Sequence, residues 1–147
     1  MQYSEAVGGR RRARVLVVND DLRLAESVQA LLADEGYETR IARDGLAAID
    51  TLGEWPADLV LLDLMMPHLN GWDFLARRAH EPALARSMVV VWSLAPAVEL
   101  DRARALGADE CLPGGNTAPA DLLDVVSDVL TRRPNAPSSY SSSTHPN

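Results

Sequence analysis

The sequence predicts an α/β fold, a five-stranded parallel sheet covered by helices on both faces. Three observations predict it. Short apolar runs, among them Val15-Leu16-Val17-Val18, Leu59-Val60-Leu61-Leu62 and Met88-Val89-Val90-Val91-Trp92, are bounded by polar residues, as suits strands buried on both sides. Segments with helical spacing of apolar residues separate these runs, which implies parallel strands joined by crossover helices. Polar residues follow three of the runs at once: Asn19-Asp20-Asp21, Asp63 and Ser93. Right-handed crossovers carry every strand's carboxyl end to the same edge, where open α/β sheets hold their sites.

In chain order, residues 1–12 are polar and include Arg10-Arg11-Arg12; they read as a flexible tail. Ala13 to Val18 is the first strand. A helix follows, with Leu24, Val28, Leu31 and Leu32 on one face and Gly36 as its stop. Tyr37 to Ala42 is the second strand, and Asp44-Gly45 a turn. Leu46 to Leu52 is a short helix stopped by Gly53 and Pro56. Leu59 to Leu62 is the third strand, after which Pro67 and Asn70-Gly71 force a loop. Trp72 to His80 is a helix ending before Pro82, Met88 to Trp92 the fourth strand, and Ala97 to Leu106 a helix stopped by Gly107. Glu110 to Leu112 is the fifth strand. The fifth helix, Ala120 to Leu130, sets Leu122, Leu123, Val126, Val129 and Leu130 on one face. Residues 133–147 are rich in Pro, Ser and Asn and read as disordered. The folded domain is therefore expected over 13–132.

The bulk properties narrow the functional classes. A chain of 147 residues, 47% hydrophobic and 24% charged, is sized for one domain with a sizeable core. The net charge of −7 argues against a general nucleic-acid surface. No apolar run approaches a membrane span, and the run after Arg10-Arg11-Arg12 is too short for a signal peptide. A lone cysteine, Cys111, excludes an internal disulfide and fits a reducing cytoplasm. No GxGxxG and no phosphate-binding glycine loop follows a strand. All 14 basic residues are arginines; the sequence contains no lysine. His68 and His80 read as loop and helix-surface residues, Trp55 as a partly exposed loop residue, Trp72 as packing its helix, and Trp92 as core strand. Cys111 reads as a small core filler.

The carboxylates gathered at one edge are either solvated turn caps or a divalent-cation site. Hard oxygen ligands with several retained waters suit Mg²⁺. Asp20 and Asp63 would bind directly, and Asn19 or Asp21 through water. Cation and carboxylate belong together if Asp63 is a phosphoryl acceptor, since a carboxylate can act as nucleophile and form an aspartyl phosphate. Ser93 would then hydrogen-bond the phosphoryl oxygens.

These residues carry a resemblance. Val15 to Asp21, Glu35-Gly36-Tyr37, Ala42 to Gly45, Ala47-Ala48-Ile49, Asp58 to Gly71, Val89 to Ser93 and Ala105 to Asp109 are similar to the receiver domain of bacterial two-component response regulators. The likeness runs from about Arg14 to Leu130. It implies a flavodoxin-like doubly wound sheet with strand order 2-1-3-4-5 and five helices. It implies that Asp63 is the phosphoacceptor, that Asp20 binds the metal directly, and that Met65 offers a backbone carbonyl to it. Ser93 falls on the hydroxyl residue that moves toward the phosphoryl group. The resemblance further implies a histidine kinase or histidine phosphotransfer protein as donor, and output through contact with a downstream protein. No nucleic-acid or membrane partner is expected, and no output module follows Leu130.

The sequence departs from that family at one pocket. Asn19 stands where an acid is usual. Gly114 stands at the position of a lysine, whose lost charge-assisted bond would be worth about 1.5–3 kcal/mol. Leu94 replaces a commonly small residue, and Cys111 an aromatic one. The alternative reading is therefore an atypical receiver used as a phosphorylation-independent interaction module. An aspartate-nucleophile enzyme is disfavoured, because the position two residues after Asp63, where a general acid would serve, is Met65.

Overall fold

The computed structural model describes residues 11–115 and 117–132. The strand expected over Leu59–Leu62 forms at those bounds and is buried along its whole length. It is β3 of a five-stranded sheet that also contains β1 (Arg14–Val18), β2 (Glu38–Ala42), β4 (Met88–Ser93) and β5 (Glu110–Pro113). The strand order is β2-β1-β3-β4-β5, and every pairing is parallel. The register aligns Val18 with Leu62 and Leu62 with Val91. Asn19, Asp63 and the end of β4 therefore emerge at one edge.

The period of two in each strand divides the core between the sheet's faces. Leu16, Val18, Val60, Leu62, Val89 and Val91 pack with helices α2 (Gly45–Glu54), α3 (Gly71–Arg78), α4 (Pro82–Ala85) and α5 (Ala97–Ala105). Val15, Val17, Leu59, Leu61 and Val90 pack with α1 (Leu22–Asp34) and α6 (Pro119–Arg132).

Several expectations are corrected. Among the described residues there are six helices, one more than expected: Pro82, read as a breaker, starts the one-turn α4. Gly53 does not stop α2 but lies within it, because the Ala48 and Leu52 contacts carry the helix to Glu54. Helix α3 begins at Gly71, capped by Asn70, and ends at Arg78. Leu24 is not on the buried face of α1; Ala25, Val28 and Leu32 are. Trp55 is buried at 7% exposure. The guanidinium groups of Arg14 and Arg40, from neighbouring strands, lie 5.1 and 5.0 Å from its ring centroid, a covering that no local pattern reveals.

The predicted tail segments 1–10 and 133–147, and Asn116, lie outside the described residues. Arg11, counted with the tail, donates two hydrogen bonds of 2.9 and 3.1 Å to Asp58. The buried Asp58 carboxylate also accepts the Arg14 N–H at 2.7 Å. Among the described residues no helix is long and apolar enough to cross a membrane.

Two glycines make opposite predictions. A Cβ on Gly71 would meet the Asp63 carbonyl oxygen at 2.6 Å and Leu64 Cα at 2.7 Å. Gly71→Ala should therefore cost about 1–3 kcal/mol, as overpacking against backbone does. A Cβ on Gly53 meets nothing within 4 Å, so Gly53→Ala should stabilise by about 0.5 kcal/mol. Urea unfolding of both variants checks the pair.

Candidate functional site

The site begins with how three strands end. The Asp63 N–H donates to the Val18 carbonyl at 2.9 Å and the Asn19 N–H to the Ala42 carbonyl at 3.0 Å, so the ladder continues one residue past the strands. Asn19 is buried, and its side-chain oxygen accepts the Asp21 N–H at 2.9 Å. That Asx turn reverses the chain into α1. Asp21 then caps α1 by accepting the Leu24 N–H at 3.1 Å. Asp20, between them, is exposed.

After Asp63 the chain is held by backbone bonds. Gly71 N–H donates to Leu64 O and Gly45 N–H to Leu69 O, each at 2.9 Å. His68, expected to be a plain loop residue, takes a positive φ of 66° and sets Nδ1 2.8 Å from an Asp44 carboxylate oxygen. On the other side, Ser93 is buried; its hydroxyl oxygen accepts the Ala95 N–H at 3.2 Å and its carbonyl accepts the Gly114 N–H at 2.8 Å.

These ends enclose a cavity of about 540 Å³. Of the residues singled out by sequence, Asn19, Asp20, Asp21, Asp63, Met65 and Ser93 all line it. Leu94 and Gly114 line it too, while Cys111 is buried in the core beside it. Three lining residues were missed: Leu24, Pro96 and Trp92. Leu24 was assigned to the core by its spacing. Trp92 was assigned to the core by its strand. Its position at the carboxyl end of β4, next to Ser93, was the available signal. The Trp92 indole N–H is buried without an acceptor.

Asp63 is half-buried, and burial is the main force raising its carboxyl above the ordinary value of 3.8. Hydrogen bonding from Ser93 and from the Met65 and Leu64 N–H groups opposes that rise, and the nearby Asp20 charge adds to it. The Met65 N–H lies 3.5 Å from the carboxylate, a long contact. Among the described residues no three His, Cys, Asp or Glu side chains gather as a metal cluster. Asp21 caps α1 and Asn19 closes its turn, each with one oxygen, which leaves Asp20 and Asp63 as the carboxylates to bind a cation directly. Two carboxylates fit Mg²⁺, which keeps several waters and takes one or two protein acids, and do not fit an all-protein cage.

Residues 15–126 match the model of the response regulator receiver domain. The chain belongs to this family. It is 39% identical over 103 residues to the transcriptional regulatory protein CpxR homolog of Haemophilus influenzae, covering 69% of this chain and 43% of the relative. It is 48% identical over 62 residues to the DNA-binding response regulator MtrA of Mycobacterium tuberculosis, covering 42% of this chain and 27% of the relative. The curated relatives are longer: matches span 27 to 54% of their length. A solved signal receiver domain of a response regulator from Bermanella marisrubri superposes with a TM-score of 0.73 at 28% identity, covering 82% of this chain and 99% of that one. Receiver domains are signalling modules of two-component systems, and phosphorylation and Mg²⁺ binding are general features of the family.

The raised Asp63 carboxyl has a signed consequence. The folded receiver holds the proton more tightly than the unfolded chain does, so stability falls as pH rises from the unfolded value through the folded one. Asp63→Asn should therefore unfold at higher urea than the parent at pH 7 in metal-free buffer. The gap should close below about pH 3.9, where both states of the parent are protonated.

Proposed function

We propose that this receiver accepts a phosphoryl group on Asp63 and passes the signal on by protein–protein contact. The observation that supports the reading best is that the Asp63 carboxylate lines the cavity together with Asp20 and Ser93, both of which interact with it. The donor on this reading is a phosphohistidine of a histidine kinase or a histidine phosphotransfer protein, in the cytoplasm. One Asp63 oxygen attacks phosphorus. The P–N bond breaks, its electron pair returns to the imidazole nitrogen, and Asp63 is left as the mixed anhydride of aspartic and phosphoric acids.

The residues around Asp63 divide the work. The Leu64 and Met65 N–H groups orient the attacking carboxylate. Mg²⁺, held by Asp20, Asp63 and the Met65 carbonyl, with Asn19 and Asp21 acting through water, would offset charge between carboxylate and phosphoryl oxygens. Ser93 would donate its hydroxyl to a phosphoryl oxygen. Turning to do so gives up the bond from Ala95 N–H. That links charge at Asp63 to the segment leading into α5, a two-state element that phosphorylation biases. The position two residues after Asp63 is Met65 rather than a general acid, which favours an acceptor over an enzyme that turns over an external substrate.

A second reading, docking without phosphorylation, is favoured because no basic side chain lines the cavity among the described residues. One experiment separates the two. The protein is incubated with a small phosphodonor and Mg²⁺, and its intact mass is measured. The acceptor reading expects a gain of one phosphoryl group, absent in Asp63→Asn and abolished by chelation of the metal. An unchanged mass in well-folded protein, also with a cognate kinase, leaves only the docking module. Ser93→Ala should keep the modification site but slow its formation about tenfold, the worth of one hydrogen bond to a charged group.

A further inference from the structure

We propose that the cavity over Asp63 takes a primary ammonium or guanidinium group on an apolar stem, supplied by a bound molecule. The proposal rests on the acceptor reading and adds the class of group that completes the site.

Charge is the first argument. Among the described residues, Asp20, Asp21 and Asp63 line the cavity with no Lys, Arg or His beside them, and the 147-residue sequence contains no lysine at all. Phosphorylation would put about two negative charges at Asp63. With Asp20 and Asp21 still ionised, a single divalent cation would offset only about half of the total. Two backbone donors of the lining residues are committed elsewhere. Gly114 N–H bonds the Ser93 carbonyl at 2.8 Å and Asp21 N–H the Asn19 side chain at 2.9 Å. A cation entering the cavity would meet three carboxylates, those of Asp20, Asp21 and Asp63.

Shape is the second argument, and it is independent of the first. No side chain projects from Gly114, and the cavity of about 540 Å³ stands open beside it. Its walls include Leu94 at 80% and Met65 at 58% exposure. Large apolar side chains so exposed around a charged floor match the methylenes of a long basic group, whose head stays polar. Trp92 lines the same space, and an indole face attracts ammonium and guanidinium groups.

A free amine and a basic side chain of a partner share this chemistry, and two probes distinguish them. Binding of n-butylguanidinium to the full chain is followed by the Trp92 indole N–H resonance in Mg²⁺ buffer. A saturable shift is expected. Asp21→Asn keeps a competent helix cap and should weaken binding about fivefold by removing one charge. Leu94→Ala should weaken n-butylguanidinium about threefold and leave methylguanidinium unchanged, because only the longer stem reaches the wall. A short peptide with arginine between leucines that binds about tenfold tighter than n-butylguanidinium identifies a protein partner as the source; equal affinity identifies a free amine. A shift that does not saturate, or that both variants leave unaltered, overturns the proposal. Binding is read on unphosphorylated protein. A receiver that binds the cation but takes no phosphoryl group therefore sinks the acceptor reading alone. One that is phosphorylated yet indifferent to the cation sinks this inference alone.

Discussion

A carboxylate at the end of a strand buried on both faces is the constraint around which this receiver is arranged. Residues Leu59 to Leu62 are at most 2% exposed, and the Asp63 N–H is drawn into the ladder by Val18. The side chain is thereby held half in the protein, where an ionised carboxyl is costly. The surrounding structure offsets that cost only in part. Ser93 and the Leu64 and Met65 N–H groups lower its carboxyl while burial and Asp20 raise it, and burial dominates. A carboxylate left poorly solvated by its own protein is a strong ligand for a cation and an available nucleophile.

Holding that carboxylate in place depends on the following loop, which is tied down by close backbone approach as well as by the buried Leu64 and Met66 side chains. The Asp63–Gly71 segment is closed by the Gly71–Leu64 bond and tied to the neighbouring loop by the Gly45–Leu69 bond. Neither glycine tolerates a Cβ: at Gly45 it would run into the Leu69 carbonyl oxygen. His68 adds an exposed tie to Asp44, which also caps α2 through Ala47 N–H. An exposed pair of this kind contributes little stability. Its place in the fold is to join the two loops that flank Asp63.

The fold was legible because β1, β3 and β4 are continuous apolar runs ending in polar residues, and alternation of strands with helices admits few topologies. The strand order itself came from resemblance rather than from the pattern. Asn19, Asp20, Asp63 and Ser93 were legible as neighbours because each sits just past or at a strand's end. What sequence did not reveal depends on contacts between distant segments. Arg14 and Arg40 cover Trp55 from two strands. Arg11 joins Asp58 across 47 positions. Leu24 has the spacing of a core residue but sits at the rim, because Ala25, Val28 and Leu32 take the buried stripe of α1. Pro82 was misjudged because proline both ends one helix and starts the next.

The place of Gly114 shows why a missing side chain is not a simple deletion. A Cβ there would lie 3.2 Å from the Ser93 carbonyl carbon and 3.4 Å from its oxygen, the same carbonyl that accepts the Gly114 N–H. The turn after β5 is thus drawn in against the strand end that carries Ser93, closer than a side chain would comfortably allow. Gly115 repeats the pattern more loosely, its Cβ position 3.4 Å from a Leu94 methyl. The two glycines thus lie close against Ser93 and Leu94, and the Leu94 side chain stays largely exposed. They exchange a charged arm over the carboxylate for an open cavity with an apolar wall. Returning a cation to position 114 alone would have to move the Ser93 backbone to fit, so the charge that this site lacks is more readily met by a group entering the cavity than by one grown from its floor.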